Sequence, residues 1–184
     1  MKKYNIIYAD PPWNFKVWSK NIGKYGRCPD KHYKTMNLED IKNIEVPSDD
    51  NCALFLWVTY PMLQEGFELI DAWGFSYRTC AFTWVKSTKD GKGFPIGLGY
   101  WTRANPEICL LATKGRILRV SKGVPNLVIS PRREHSRKPD EIRDKIVELV
   151  GDLPRVELFA RQKVDGWDVW GNEVESDIEL LTKL

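Results

Sequence analysis

The chain has 184 residues, 42% of them hydrophobic and 29% charged, with a net charge of only +3. That length fits a single domain with a full core. No apolar run approaches a membrane span or a secretory signal, so a cytoplasmic protein without membrane attachment is expected. Cysteines at 28, 52, 80 and 109 form no Cys-x-x-Cys pair and only His32 and His135 accompany them, so a zinc site is not expected and the thiols should stay reduced.

The first element is a strand over 5–9, Asn-Ile-Ile-Tyr-Ala, which runs into Asp10-Pro11-Pro12-Trp13. Proline cannot donate to a ladder, so the strand must stop at Ala9 or Asp10, and the rings hold the carbonyls of Asp10 and Pro11 in set directions. Trp13 then offers a flat stacking surface. A carboxylate, a fixed carbonyl and an aromatic plate suit gripping the amino group of a base turned out of its stack. A strand followed by a rigid turn is the plainer alternative. The strand in front favours a site, because ligands bind at strand carboxyl ends in open α/β sheets. An adenine amino group is a poor nucleophile because its lone pair is delocalised into the ring. Two acceptors on its N–H bonds would localise that pair for attack on a sulfonium methyl group. The acid need not be a strong base, since the methylated nitrogen loses its proton late.

A long polar loop reaches to about residue 36, and Asn37 can cap a short helix over 38–44. Cys52 to Val58 reads as a strand buried on both faces. Pro61 opens a helix with a stripe of Leu63, Phe67, Ile70 and Trp73, and Gly74 ends it. A strand over 76–86 leads into a connection from Ser87 to Asn105, long enough to expect function there. Strands follow at 107–113 and 126–130. A helix opens at Pro139 with Ile142, Ile146, Leu149 and Val150 on one face. A strand over 156–160, a polar loop, Trp167 to Trp170 and an amphipathic tail helix over 174–184 complete the order. Helices alternating with buried strands predict an α/β domain with a mostly parallel sheet and helices on both faces, with its core over 5–175.

Charge is unevenly spread. Residues 14–34 carry Lys16, Lys20, Lys24, Arg27, Lys31 and Lys34 against Asp30, a local +5. Residues 114–138 carry eight basic residues against Glu134, a local +7, so the rest of the chain is at −9. A solvated basic face is the plain reading. Phe15, Trp18, Tyr25 and Tyr33 interleave with the first run, the composition expected where phosphates and unstacked bases are bound.

Several fragments in order resemble one family. They are Asp10-Pro11-Pro12-Trp13, Tyr33-Lys34-Thr35-Met36, Leu54-Phe55-Leu56-Trp57-Val58-Thr59, Trp84-Val85-Lys86, Trp101 with Glu107, His135-Ser136-Arg137-Lys138-Pro139-Asp140-Glu141, Glu157-Leu158-Phe159-Ala160-Arg161 and Trp170-Gly171-Asn172-Glu173. They are similar to the adenine amino-methyltransferases of the beta class related to the seventy-kilodalton catalytic subunit of the mRNA adenosine methyltransferase. The resemblance implies a circularly permuted Rossmann-like fold using S-adenosylmethionine. It implies that Asp10, Pro11, Pro12 and Trp13 form the catalytic motif, with Asp10 also touching the cofactor. Tyr33 would cover the target adenine. Lys138 would meet the methionine carboxylate, Glu157 the ribose hydroxyls, and Phe159, Arg161, Asn172 and Glu173 the rest of the cofactor. Lys86, Trp101, Glu107 and Arg133 match substrate-side positions.

There are departures. Lys163 stands where the eukaryotic enzyme has a histidine, and the loop between Trp13 and Tyr33 is longer. The upstream strand and acidic loop of the larger members are not expected here. Adenine contacts would then come from Phe159 and the 161–172 loop. The leading reading is methylation of adenine in DNA, with RNA as the close rival. A catalytically dead nucleic-acid-binding subunit would have lost the acid or the aromatic of the motif. Methylation of a protein amide would need no basic loops. The expected partner is nucleic acid, DNA ahead of RNA, and a homodimer is compatible with the sequence.

Overall fold

A computed structural model describes residues 2–14, 35–97, 99, 101–133 and 137–181. The basic loop 15–34 with Tyr33, and His135, lie outside the described residues. The elements are β1 (Tyr4–Ala9), α1 (Leu38–Lys42), β2 (Ser48–Val58), a single 3-10 turn (Tyr60–Met62), α2 (Leu63–Ala72), β3 (Ser76–Ser87), β4 (Glu107–Lys114), β5 (Leu127–Pro131), α3 (Glu141–Val150), β6 (Arg155–Leu158) and β7 (Asp168–Trp170).

The strands form one sheet in the order β5-β3-β4-β2-β1-β6-β7. β4 runs antiparallel to both β2 and β3, and every other pairing is parallel. β1 therefore ends between β2 and β6, with all three carboxyl ends on one edge. This is a Rossmann-like sheet in permuted order, since β6 comes late in the chain yet pairs with the first strand. Along β2, Leu54, Leu56 and Val58 enter one core with α1 and α2, while Phe55 and Trp57 enter a second core with α3. A strand buried on both faces needs apolar residues at successive positions, and Cys52 to Val58 supplies them. Cys52, Cys80 and Cys109 lie in strands as free thiols. Among the described residues no helix is long and apolar enough to cross a membrane.

Two expectations fail. Residues 174–181 form no helix. Their polar groups are taken by neighbours instead: Asp177 N donates to Val169 O (2.8 Å), Val169 N donates to the Asp177 carboxylate (3.1 Å), and Glu45 N donates to Leu181 O (2.8 Å). Ile178 and Leu180 pack against the α1/α2-side core, so the tail is an extended strap. The strand expected over 156–160 stops at Leu158, because Phe159 takes φ 62° and turns the chain.

Candidate active site

β1 delivers Asp10 to the carboxyl edge of the sheet, and the two prolines stop the ladder there. The chain is caught at once: Trp13 N donates to Pro11 O (2.8 Å) and Met36 N donates to Pro12 O (3.0 Å). Trp13 differs from the open stacking plate expected of it. Its ring is only 4% exposed, and Nε1 donates to Trp57 O at 3.0 Å. It anchors the motif, and with Asp10, Pro11, Pro12, Trp57, Val58, Thr59, Glu107, Lys138 and Arg161 it lines a cavity of about 20 Å³.

A chain of alternating charges runs away from Asp10. Lys138 Nζ lies 2.7 Å from Asp10 Oδ2 and 3.2 Å from Glu107 Oε2, and Lys86 Nζ lies 2.5 Å from Glu107 Oε1. Each ammonium also stands over a buried indole, Lys138 over Trp57 at 5.3 Å and Lys86 over Trp84 at 5.2 Å. The two carboxylates are pushed apart. Burial lifts the Asp10 carboxyl above the usual carboxylate range; Lys138 opposes this and the Glu107 charge adds to it. Burial works the same way on Glu107, but its two ammonium partners outweigh it and hold that carboxyl low. Burial would lower Lys138, and Asp10 and Glu107 more than offset it, so Lys138 stays charged. Asp10 is thus the more basic acceptor of the two.

Beside Asp10, toward β6, opens a cleft of about 770 Å³ lined by Pro12, Met36, Phe159, Arg161, Trp170, Asn172 and Glu173 among others. Phe159 packs edge-on to Trp170 at 5.4 Å. Gly171 permits the close approach of this wall, since a Cβ there would lie 2.1 Å from Ala160 O. Asp10, Phe159, Arg161, Asn172 and Glu173 are therefore brought together in one cleft. Lys138 lies off this cleft, behind Asp10.

Glu157 also lies off the large cleft. It lines a second cavity, of about 140 Å³, with Tyr8, Asp10, Lys138, Arg143 and Arg161. Both its oxygens accept from Arg143, at 2.7 and 2.9 Å. Arg143 went unread in the sequence, although it stands at i, i+3, i+7 spacing with Ile146 and Val150 and so shares their buried face. Asp140, at the start of α3, makes no cap hydrogen bond. Its carboxylate collects Arg133, Arg137 (3.1 Å) and Arg143 (3.3 Å) instead.

Arg133 and Arg137 wall a basic groove of about 780 Å³ with Lys89, Pro95, Arg132 and Arg161. The β3–β4 connection is tied at its base by Asn105, whose amide exchanges hydrogen bonds with the Lys86 backbone (2.8 and 2.9 Å) and donates to Pro95 O (2.6 Å). Trp101 lies beyond the Gly97–Ala104 bridge in that connection and is 82% exposed. Tyr33 is outside the described residues.

Comparison with known proteins gives these arrangements a family. The family model MT-A70 matches residues 4–173. The chain is 34% identical over 200 residues to the type II methyltransferase M.MunI of Mycoplasma sp, covering 99% of this chain and 83% of that one. It is 28% identical over 184 residues to the human N(6)-adenosine-methyltransferase catalytic subunit METTL3, and 28% identical over 190 to a Drosophila melanogaster MT-A70-like protein. In each of these two cases it spans 29% of the relative's length. With Asp10-Pro11-Pro12-Trp13 at the sheet edge beside a large cleft, the chain belongs to the MT-A70 family of adenine N6 methyltransferases, which use S-adenosylmethionine.

Proposed function

We propose that this chain methylates the amino group of adenine in DNA, with the base held at Asp10-Pro11-Pro12. The observation that carries the reading is the position of Asp10, which lines both the large cleft on the β6 side and the small cavity on the β2 side. The relative M.MunI, matched over most of its length, is named as a type II methyltransferase, and this favours DNA. The RNA reading rests on the adenosine methyltransferases, of which the chain spans less than a third.

The residues of the large cleft fit S-adenosylmethionine. Phe159 and Trp170 give aromatic walls, Arg161, Asn172 and Glu173 give polar groups at the rim, and Asp10 is an acceptor for a cationic amine. Bound there, the cofactor supplies an electrophilic methyl group. Asp10 and the Pro11 carbonyl accept the two N–H bonds of the adenine amino group and so localise its lone pair. Lys138 holds Asp10 in place while Trp57 supports Lys138 from below. The raised basicity of Asp10 fits it to take the proton that the methylated nitrogen sheds. Arg132, Arg133 and Arg137 hold phosphates along the groove, and Lys86 with Glu107 joins that groove to the reacting edge. Glu157 would serve the cofactor ribose only by sharing its oxygens with Arg143.

Incubation with methyl-labelled S-adenosylmethionine and duplex DNA, single-stranded DNA or RNA tests this. Labelled N6-methyladenine should appear with DNA. Label only in RNA would transfer the function to the second reading, and label in neither would remove both.

A further inference from the structure

Thr59 is the first residue past β2, at the edge where β1 delivers Asp10. It occupies the N-cap position of the following 3-10 turn, with φ −93° and ψ 154°, the extended geometry from which a threonine hydroxyl normally caps. The hydroxyl makes no cap hydrogen bond. Its Oγ1 exposes less than 1 Å² and has no hydrogen-bond partner among the described residues. Pro61 has no N–H to offer that hydroxyl and Met62 N already donates to Thr59 O (2.9 Å), so the cap is not available, and leaving a buried hydroxyl unpaired is unfavourable. Thr59 lines the small cavity with Asp10, Pro11 and Glu107 and does not line the large cofactor-side cleft. The cavity, about 20 Å³, has room for one water-sized group, so it takes the edge of a ring and not a whole ring.

We propose that the Thr59 hydroxyl donates a hydrogen bond to a ring nitrogen beside the amino group of the target adenine, making Thr59 a base-recognition residue. This rests on the methyltransferase reading above. Asp10 and Pro11 are acceptors and suit the amino group, whose two N–H bonds are donors. The ring nitrogens on either side of that amino group are acceptors and need a donor. Asp10, Pro11 and Glu107 offer no donor; of the charged donors in the lining, Lys138 is held by two carboxylates and Arg161 pairs with Glu173 (3.8 Å) on the side of the large cleft. A site built to pair a polar edge rejects a ring lacking that edge, because its own group is left unpaired.

The test uses Thr59→Val, which keeps the shape and removes the hydroxyl, and Thr59→Ser, which keeps the hydroxyl. Thr59→Val should fold with an unchanged or higher melting temperature and bind S-adenosylhomocysteine like wild type. Its kcat/KM on duplex DNA should fall about ten- to a hundred-fold, the range expected when a buried pairing is lost, and Thr59→Ser should recover most of it. Duplexes with every adenine replaced by 7-deazaadenine or by 1-deazaadenine complete the cycle. One replacement should cost the wild type about tenfold or more and cost Thr59→Val no further. Wild-type kcat/KM in Thr59→Val overturns the inference. So does a fall in melting temperature or in S-adenosylhomocysteine affinity. A wild-type protein that methylates no adenine in DNA or RNA overturns the methyltransferase reading with it, whereas active wild type with equally active Thr59→Val overturns this inference only.

Discussion

Two buried charge systems flank the end of β1, and they are built on opposite plans. In one, Glu157 and Arg143 close on each other, two nitrogens to two oxygens, across the β6–α3 contact. In the other, Asp10, Lys138, Glu107 and Lys86 alternate in an open line whose end, Asp10, faces the clefts. A closed bidentate pair satisfies itself and serves packing. An open line leaves its terminal carboxylate able to accept from a ligand, and the like-charged Glu107 helps keep that carboxylate basic. Burial and pairing alone do not set Asp10 apart from Glu157; what does is that Asp10 is paired at one oxygen and lines both the large cleft and the small cavity.

If that contrast is right, breaking the closed pair should cost stability. Arg143→Met strands Glu157 in the core and should lower unfolding stability by about 3–5 kcal/mol in urea titration. Adding Glu157→Met should return most of that loss. If the single and double variants are equally unstable, the pair is not closed in the sense argued.

Breaking the open line at its end should cost rate instead. Asp10→Ala should reduce methyl transfer on the order of a hundredfold or more with circular dichroism and melting intact. Near-normal turnover in the folded variant would remove Asp10 from the site.

The groove arginines sharpen the contrast with a smaller effect. Neutralising Arg132 and Arg133 should reduce the slope of log affinity for duplex DNA against log salt by roughly 1–2. Asp140→Asn should move that slope the other way by up to about one, because a carboxylate that offsets the arginines is gone and no cap hydrogen bond is lost with it. Slopes unchanged in both variants would make the groove an ordinary solvated face.

A pH profile reads the line most finely. In the proposed mechanism the Asp10 carboxylate is the active form, so the rate should fall as pH drops through its raised pKa. Lys138 opposes protonation of Asp10, so Lys138→Met should move this acid limb to higher pH. A limb that stays in place would detach Lys138 from Asp10.

Much of this was legible in the residues. Leu54 to Val58 had to be a central strand because successive apolar side chains need two buried faces. Asp10 had to lie at a strand end because prolines follow it. Asn37 caps α1 as its side chain predicts, accepting from Asp40 N at 2.8 Å. Other features were not legible, for physical reasons. The 174–181 strap shows helical spacing of its apolar residues, and tertiary hydrogen bonds to Val169 and Glu45 override it. Trp13 reads as a stacking plate from its neighbours, but its indole N–H finds a carbonyl on β2 and the ring goes inward.

By itself the sequence determined the order of strands and helices up to the tail, the α/β class and the place of Asp10 at a strand end, because side-chain period and proline chemistry act locally, while the permuted order was implied by the family resemblance. Only the tertiary structure decided which charges meet. Lys138 belongs to Asp10 and Glu107, Arg143 to Glu157, and Asp140 to three arginines, since ion pairing between strands and a distant helix depends on distances that no spacing along the chain encodes. The same holds for Thr59. That its hydroxyl is buried in a cavity Asp10 also lines, without a partner among the described residues, follows from how β1 and β2 end together and from Pro61, which has no N–H to cap.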